Sequence, residues 1–171
     1  MEVKVYIQSQ LEGLKRGSGR ALKDLTQAEY MWRPSCGCNS IGLILFHVAR
    51  SEDMFVQQRL RQKPQVWESG KWFLKLNMAE NEAGSHYTID QVNAFPVPDA
   101  KDLLAYYDEV RANTVEYLAS LKQDDFDRKL TILPFPGETT VAAIFSLVVM
   151  HSAGHFGEIS YLRGLQRGMD K

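Results

Sequence analysis

Apolar side chains recur at helical spacing in four stretches of the sequence, and this pattern constrains the fold more strongly than any other feature. No segment shows the sustained alternation of strands joined by turn residues. The sequence therefore predicts an all-α protein, a four-helix bundle with a long crossover between the second and third helices. The predicted helices are residues 3–25, a second from Asn39 or Ser40 to no later than Lys63, residues 99–121, and a fourth from Thr139 or Thr140 to Leu165 or beyond, ending near Gly168.

Capping residues and a proline mark the ends of these helices. Asn39 or Ser40 can accept hydrogen bonds from the free amides in the first turn of the second helix. Pro64 disfavours helix at the residue before it, so this helix should end by Lys63. Asp99 is predicted to cap the third helix. The local signals therefore agree with the apolar periodicity.

Residues 64–98 form the crossover between the second and third predicted helices. A connection of this length is rarely structureless in a compact domain. Trp67, Trp72 and Phe73 lie within it and indicate a short helix that packs over one end of the bundle. With 171 residues and no internal repeat, the chain is predicted to form a single domain, residues 1–171.

Net charge and hydropathy argue against several classes of function. The 20 basic and 21 acidic residues give a formal net charge of −1, whereas a nucleic-acid-binding domain usually carries a strong positive field. The first residues lack the charged start and apolar run of a signal peptide. The most apolar stretch, residues 141–150, is too short to cross a bilayer. The sequence therefore predicts a cytoplasmic protein that binds neither nucleic acid nor membrane.

Two histidines stand four residues apart on the fourth predicted helix. His151 and His155 therefore lie on one face, about one turn apart, where both imidazoles can reach a common ion. Val148 and Ile159 share this face, which is predicted to point into the core. Spacing alone leaves two interpretations open: a shared metal ion, or two packed histidines hydrogen-bonded to backbone or water.

A third histidine, His47, lies among apolar residues of the second predicted helix. If the second and fourth helices run in the same direction and begin at similar levels, its ring converges with those of His151 and His155. Three imidazoles with further positions open are typical of a catalytic metal site rather than a closed structural one. They suit zinc, nickel, iron or copper. The alternative for His47 is a core histidine satisfied by ordinary hydrogen bonds.

Three further residues are considered for such a site. Glu158 follows His155 by three residues and is a candidate catalytic residue that orients an imidazole or accepts a proton; the alternative is a solvated glutamate. Arg50, one turn after His47, is predicted to be a surface arginine, with contact to an anionic substrate as the alternative. His86 is predicted to lie at the surface, with a position in a substrate pocket as the alternative.

Cys36 and Cys38 are the only thiols in the sequence, which excludes a disulfide framework and a four-thiolate zinc site. They precede the second predicted helix, whose macrodipole can lower the pKa of a thiol. A redox-active or alkylatable pair is therefore an alternative to two inert thiols. Both lie two to three turns from His47 and are predicted to stay outside its metal site.

Sequence motifs in both histidine-bearing helices occur together in a known family. The motifs are Asn39-Ser40-Ile41-Gly42, His47, Arg50 and Glu52-Asp53 in the second helix, and His151, His155, Gly157-Glu158-Ile159 and Tyr161-Leu162-Arg163-Gly164 in the fourth. Trp32-Arg33-Pro34 and the tyrosine-rich third helix match as well, so the sequence resembles the DinB-like proteins over nearly its whole length. The resemblance implies a four-helix bundle, commonly dimeric, with a metal ion bound by His47, His151 and His155.

The resemblance also implies a choice of functions. Members of the family include thiol-dependent transferases and isomerases that act with low-molecular-weight thiols. The main hypothesis is therefore a thiol-dependent S-transferase that acts on a small electrophile, with one divalent metal ion (zinc, nickel or iron) and a thiol cosubstrate. The alternatives are a metal-dependent hydrolase with Glu158 as proton acceptor, and a non-enzymatic interaction module whose metal pins two helices together. The predicted partners are a small-molecule substrate and a second copy of the chain in a homodimer.

Overall fold

The computed structural model describes residues 2–133 and 136–168, and most of them are helical. The four long helices α1, α3, α7 and α8 form the bundle, and the predicted all-α four-helix fold is confirmed. In chain order the helices are α1 (Val3–Leu22), α2 (Gln27–Met31), α3 (Ile41–Asp53), α4 (Val66–Ser69), α5 (Trp72–Lys75), α6 (Ile89–Ala94), α7 (Ala100–Ser120) and α8 (Val141–Arg167).

The first helix ends at Leu22, earlier than the predicted Leu25. Asp24 adopts a left-handed backbone conformation with φ of 58°, which interrupts the helix. Thr26 then begins α2 with a capping box, in which its hydroxyl accepts from the Glu29 N–H at 3.3 Å and the Glu29 carboxylate accepts from the Thr26 N–H at 2.7 Å. The predicted end is wrong because this local cap starts a new helix where apolar spacing alone continues the old one.

The α3 helix carries the first histidine and is buried on nearly every side. It begins at its predicted cap, because the Ser40 hydroxyl accepts a hydrogen bond from the Leu43 N–H at 3.2 Å. After Asp53 the chain continues as a π-helix, Met54–Leu60. The helical segment therefore ends before Lys63, as predicted from Pro64.

The α8 helix carries the other two histidines. The Thr140 hydroxyl caps its first turn by accepting from the Ala143 N–H at 3.2 Å, and the helix ends at Arg167, followed by Gly168 with φ of 82°. Both predicted boundaries are confirmed. Two short antiparallel strands, β1 (Lys129–Leu130) and β2 (Thr139–Thr140), pair just before the helix. Residues 2–133 and 136–168 contain no other strand.

By length and composition alone, α8 is also the one helix within residues 2–133 and 136–168 that is apolar enough to cross a membrane. The core helix of a soluble protein passes the same test, and 33% of the apolar window of α8 is buried within the chain. The apolar segment of this helix is therefore longer than residues 141–150, the stretch that by itself is too short to cross a bilayer. The cytoplasmic location and the lack of membrane binding stay predictions.

The crossover between α3 and α7 contains the three short helices α4, α5 and α6, whereas the sequence predicts one. Trp67 and Trp72 are 1% and 6% exposed, and their rings contact Tyr106 of α7 at centroid distances of 5.5 and 5.4 Å. Trp67 also meets Phe46 of α3 edge-on at 5.6 Å. The predicted packing of the crossover over the bundle is therefore observed, and both tryptophans belong to the core.

The apolar core falls into two clusters, and α8 contributes to both. The first joins α3, α7 and the crossover, and it includes Ile159 of α8. The second joins α1, the π-helical segment and the first half of α8, including Val148. His151 and His155 follow Val148 and precede Ile159, so they stand at the boundary between the two clusters.

Candidate metal centre

Helices α3 and α8 bring the three predicted histidines together. One ring nitrogen each of His47, His151 and His155 lies within 4.8 Å of those of the other two. The ring centroids are 4.9 Å apart for His47 and His151, 4.8 Å for His47 and His155, and 4.4 Å for His151 and His155. All three residues are half-buried. The convergence predicted from helical spacing is therefore present in the fold.

A backbone carbonyl fixes the orientation of the His47 ring. Nδ1 lies 2.7 Å from the carbonyl oxygen of Gly84, and because a carbonyl only accepts, Nδ1 carries the hydrogen. The nitrogen with the free lone pair is then Nε2, which lies 3.0 Å from Nε2 of His151. Tetrahedral ligands about 2.0–2.1 Å from an ion lie about 3.3–3.4 Å apart. The two nitrogens are therefore spaced nearly as two imidazoles that share one ion.

Glu158 holds the third ring in the same manner. Its carboxylate oxygen lies 3.0 Å from Nδ1 of His155, so this nitrogen donates and Nε2 of His155 stays available for an ion. A carboxylate that accepts from the outer nitrogen of a ligand histidine is a common arrangement around protein-bound metals. The Glu158 side chain is 53% exposed, so solvent also reaches it. Glu158 is thus a solvated residue that contacts the histidine cluster.

Burial favours the neutral form of two of these histidines. Burial, together with the positive charges of His155 and His47, lowers the pKa of His151 to about 4. Burial also lowers the pKa of His47, although the hydrogen bond to the Gly84 carbonyl acts in the opposite direction. Neutral imidazoles have a free lone pair at neutral pH, as a metal ligand requires. The chemistry of the donor set therefore fits a divalent metal ion.

His86 lies at the surface, as predicted. Its backbone is left-handed, with φ of 60°, and its charge lies near enough to lower the pKa of His47. Gly84, two residues earlier, is the site residue that sequence reasoning missed. The sequence around Gly84 gives little indication of this role, because nothing local shows which side chain its carbonyl contacts.

The prediction that Arg50 lies at the surface is wrong. The residue is 6% exposed, and its guanidinium donates to Gln65 Oε1 at 2.8 Å and to the Tyr106 hydroxyl at 3.3 Å. It also lies 3.6 Å from a carboxylate oxygen of Asp53 and stacks over the Trp67 ring at 4.6 Å. These interior contacts engage the guanidinium, so the alternative of an anionic substrate loses its support as well.

Cys36 and Cys38 form part of a turn that precedes α3. The turn is closed by the Cys38 N–H, which donates to the Ser35 carbonyl at 3.2 Å, and Gly37 has the positive φ of 77° that such a turn favours. Cys36 Sγ accepts from the amide of Asn93 at 3.1 Å. Both thiols are free. Within the described ranges, neither thiol joins the group that could hold a metal.

A separate groove of about 910 Å³ runs between α1 and α8. Small residues line much of it, among them Gly13 and Gly17 of α1 and Gly157, Ser160 and Gly164 of α8. The three clustered histidines are not among its lining residues. The groove is therefore a feature distinct from the histidine cluster.

Comparisons with known proteins agree with this architecture. The sequence profile of the DinB superfamily matches residues 10–159. A conserved protein from Enterococcus faecalis is similar in structure, with a TM-score of 0.83 and 21% sequence identity over 96% of this chain and 97% of that chain. At this identity the likeness concerns the fold alone. No curated protein matches the sequence. The chain belongs to the DinB superfamily.

Proposed function

We propose that the protein binds one divalent metal ion through His47, His151 and His155. The observation that carries this proposal is the convergence of three imidazole nitrogens within 4.8 Å from two helices. Gly84 and Glu158 engage the outer nitrogens of His47 and His155, so the inner nitrogens face each other with free lone pairs. Zinc, nickel and iron all accept imidazole ligands.

We further propose that the site is catalytic, with transfer of a low-molecular-weight thiol to a small electrophile as the reaction. An ion held by three protein ligands keeps positions open, where it supplies Lewis acidity that lowers the pKa of a bound thiol. Glu158 supports this role because its exposed carboxylate both orients His155 and can accept a proton from solvent-accessible groups. Hydrolysis of a small substrate, with Glu158 as proton acceptor, is the nearest alternative.

A non-enzymatic module stabilised by a metal receives less support. A closed structural site normally has four protein ligands, whereas the group found in the described part of the chain contains three. Trp67 and Trp72, the large aromatic side chains of the crossover, are buried and do not offer a surface to a protein partner. The three histidines are half-buried, so solvent reaches part of the cluster.

Elemental analysis of protein purified without a metal-affinity resin tests the metal proposal. We expect about one equivalent of zinc, nickel or iron, and its loss in His47→Ala and His151→Ala. The matched control is His86→Ala, which removes an exposed histidine beside the cluster and should retain the metal. Wild-type protein that neither carries nor takes up any of these ions would contradict the proposal.

A screen of thiol cosubstrates against small electrophiles tests the catalytic proposal. We expect turnover that depends on both the thiol and the metal, and that is lost in His151→Ala. Turnover without thiol points to the hydrolase. A loaded protein that catalyses neither reaction, but loses much of its stability on chelation, would favour the structural module.

The substrate class, the oligomeric state and the cellular location are proposals as well. We propose a small-molecule substrate, a homodimer and a cytoplasmic location. Light scattering coupled to size-exclusion chromatography tests the homodimer, which would have twice the mass of the 171-residue chain. A mass equal to that of one chain would contradict it.

A further inference from the structure

The segment from Glu82 to Tyr87 is pinned against α3 at the point where it meets His47. The Glu82 carboxylate accepts from the Gly84 N–H at 3.0 Å and from the Tyr87 hydroxyl at 2.7 Å through the same oxygen. Arg50 Nε donates to the Glu82 carbonyl at 3.2 Å. These three hydrogen bonds tie Glu82 to Gly84, to Tyr87 and to α3.

Gly84 has both a conformational and a steric reason to be glycine. Its φ is 74°, in the left-handed region that side chains disfavour. A Cβ at this position would lie 2.7 Å from both Cβ and Cγ of Arg50. These atoms are close to the backbone of α3 and cannot swing away as the end of a long side chain can. At Gly84 the segment therefore lies too close to α3 to accommodate a side chain.

Arg50 connects this segment to the core. It lies one turn after His47 on α3, so the same helix carries the ring and the anchor of the segment that contacts the ring. The far end of its side chain is fixed by Gln65 and Tyr106, as described above. The position of the Gly84 carbonyl is therefore set by buried contacts on both sides.

We propose that Glu82 is a positioning residue of the metal centre, which acts through Gly84 to hold the His47 ring with Nε2 toward the metal. The proposal rests on the proposed metal binding. Glu82 touches neither the ion nor the ring. It orients the peptide of Gly84, whose carbonyl accepts from Nδ1 of His47 and so selects the tautomer and the direction of the ring.

Four variants separate this role from a general effect on folding. Glu82→Ala removes the acceptor of the Gly84 N–H, and Glu82→Gln keeps an acceptor oxygen of the same reach. Tyr87→Phe removes one hydrogen bond to Glu82 and keeps the aromatic contact with Phe95. Glu80→Ala is the matched control, because its exposed carboxylate lies two residues before Glu82 and its backbone carbonyl, which accepts from Trp67, is kept.

The first measurement is zinc affinity by competition with a chromogenic chelator, together with the visible spectrum of the cobalt-loaded protein. Loss of contacts that orient ligand histidines typically weakens metal binding about 10–100-fold. We expect a loss in this range for Glu82→Ala, a smaller loss for Tyr87→Phe, and values near wild type for Glu82→Gln and Glu80→Ala. The cobalt spectrum should change in Glu82→Ala, because an altered His47 changes the ligand field.

The second measurement needs no metal. Ring ¹⁵N chemical shifts of His47 in the metal-free protein report which nitrogen carries the hydrogen. We expect a hydrogen on Nδ1 in wild type and a mixture of tautomers in Glu82→Ala, with Glu82→Gln restoring the wild-type shifts. If wild type binds no metal, the proposed function fails, while these shifts still test the positioning role. Wild-type affinity, cobalt spectrum and ring shifts in Glu82→Ala would overturn the proposal, as would an equal loss in Glu80→Ala.

Discussion

Two neighbouring acidic residues of α3 are buried in contrasting surroundings. Asp53 is fully buried, and its carboxylate accepts from the N–H groups of Val66 and Trp67 at 2.8 and 2.9 Å and from the Tyr106 hydroxyl at 2.9 Å. It therefore caps the first turn of α4 from another helix. Because its partners belong to the crossover and to α7, this carboxylate determines where the crossover lies.

Glu52 has a simpler partner. It is 2% exposed and lies 2.7 Å from a guanidinium nitrogen of Arg111 on α7. Within the described residues, the other polar atoms of both side chains have no hydrogen-bond partner in the chain, and neither has the neighbouring Thr114 hydroxyl. The comparison shows that a buried charge positions a distant segment when it accepts from that segment's backbone. In a buried ion pair with few other hydrogen bonds, such as Glu52–Arg111, each charge mainly stabilises the other.

Removing one member of the Glu52–Arg111 pair should have the greatest effect on stability. Arg111→Ala leaves a buried carboxylate without its counter-ion, which costs about 3–5 kcal/mol. Urea denaturation of the metal-free protein measures this loss. The double variant Glu52→Leu with Arg111→Met should be near neutral, because no unpaired charge stays buried. A cost below about 1 kcal/mol for Arg111→Ala would show that water already solvates the pair.

Asp53→Ala should cost less stability, about 2–3 kcal/mol, because Arg50, 3.6 Å from the Asp53 carboxylate, keeps its hydrogen bonds to Gln65 and Tyr106 when that carboxylate is removed. It should also weaken metal binding about tenfold, since the crossover carries Gly84. Urea denaturation and chelator competition measure the two effects. Arg111→Ala, compared at a temperature where it is folded, should retain its metal affinity. Equal metal affinities in the two variants would remove the distinction drawn between the two carboxylates.

Acid should destabilise the histidine region that the crossover supports. The pKa of His151 is about 4 in the folded protein against its ordinary value of 6.5. Between these values the unfolded chain binds more protons, so the free energy of unfolding falls as the pH falls from about 6.5 to about 4. Denaturation of the metal-free protein across this range measures the slope. His151→Asn should reduce this slope, because it removes the group whose pKa is lowered to about 4 in the folded protein.

The stability contributed by a cap from the residue next to its own helix can be compared with that of the cap that Asp53 supplies to α4 from another helix. Thr140→Ala removes the hydroxyl that accepts from the Ala143 N–H and should cost about 1 kcal/mol. Metal affinity should not change, because the first turn of α8 lies about three turns before His151. Thermal denaturation with and without zinc measures both. A cost for Thr140→Ala as large as that for Asp53→Ala would indicate that the external cap contributes no more than a local one.

The sequence predicts what depends on neighbouring residues and misses what depends on distant ones. Helical periodicity and the caps Ser40, Asp99 and Thr140 are local, and the starts of α3, α7 and α8 agree with them. His151 and His155 share a face by spacing alone. The burial of Arg50 depends on the crossover partners Glu82 and Gln65, which lie 32 and 15 residues away.

The early end of α1 and the contact of Gly84 with His47 have the same physical origin. A left-handed residue at Asp24 and another at Gly84 turn the chain in ways that apolar spacing does not encode. The Gly84 carbonyl reaches a ring 37 residues away in sequence, and a backbone group carries no sequence signal of its own. The histidine cluster could therefore be predicted, while the carbonyl that orients it could not.

The separation of the ligands along the chain has a consequence for biosynthesis. His151 lies 104 residues after His47, and both must leave the ribosome before one ion can be held by both. A nascent chain that ends within α7 offers only one of the three clustered imidazoles, His47, and one ligand gives no chelate and little discrimination among cellular metals. An ion held by all three histidines therefore has to be acquired after α8 has been synthesised and packed beside α3.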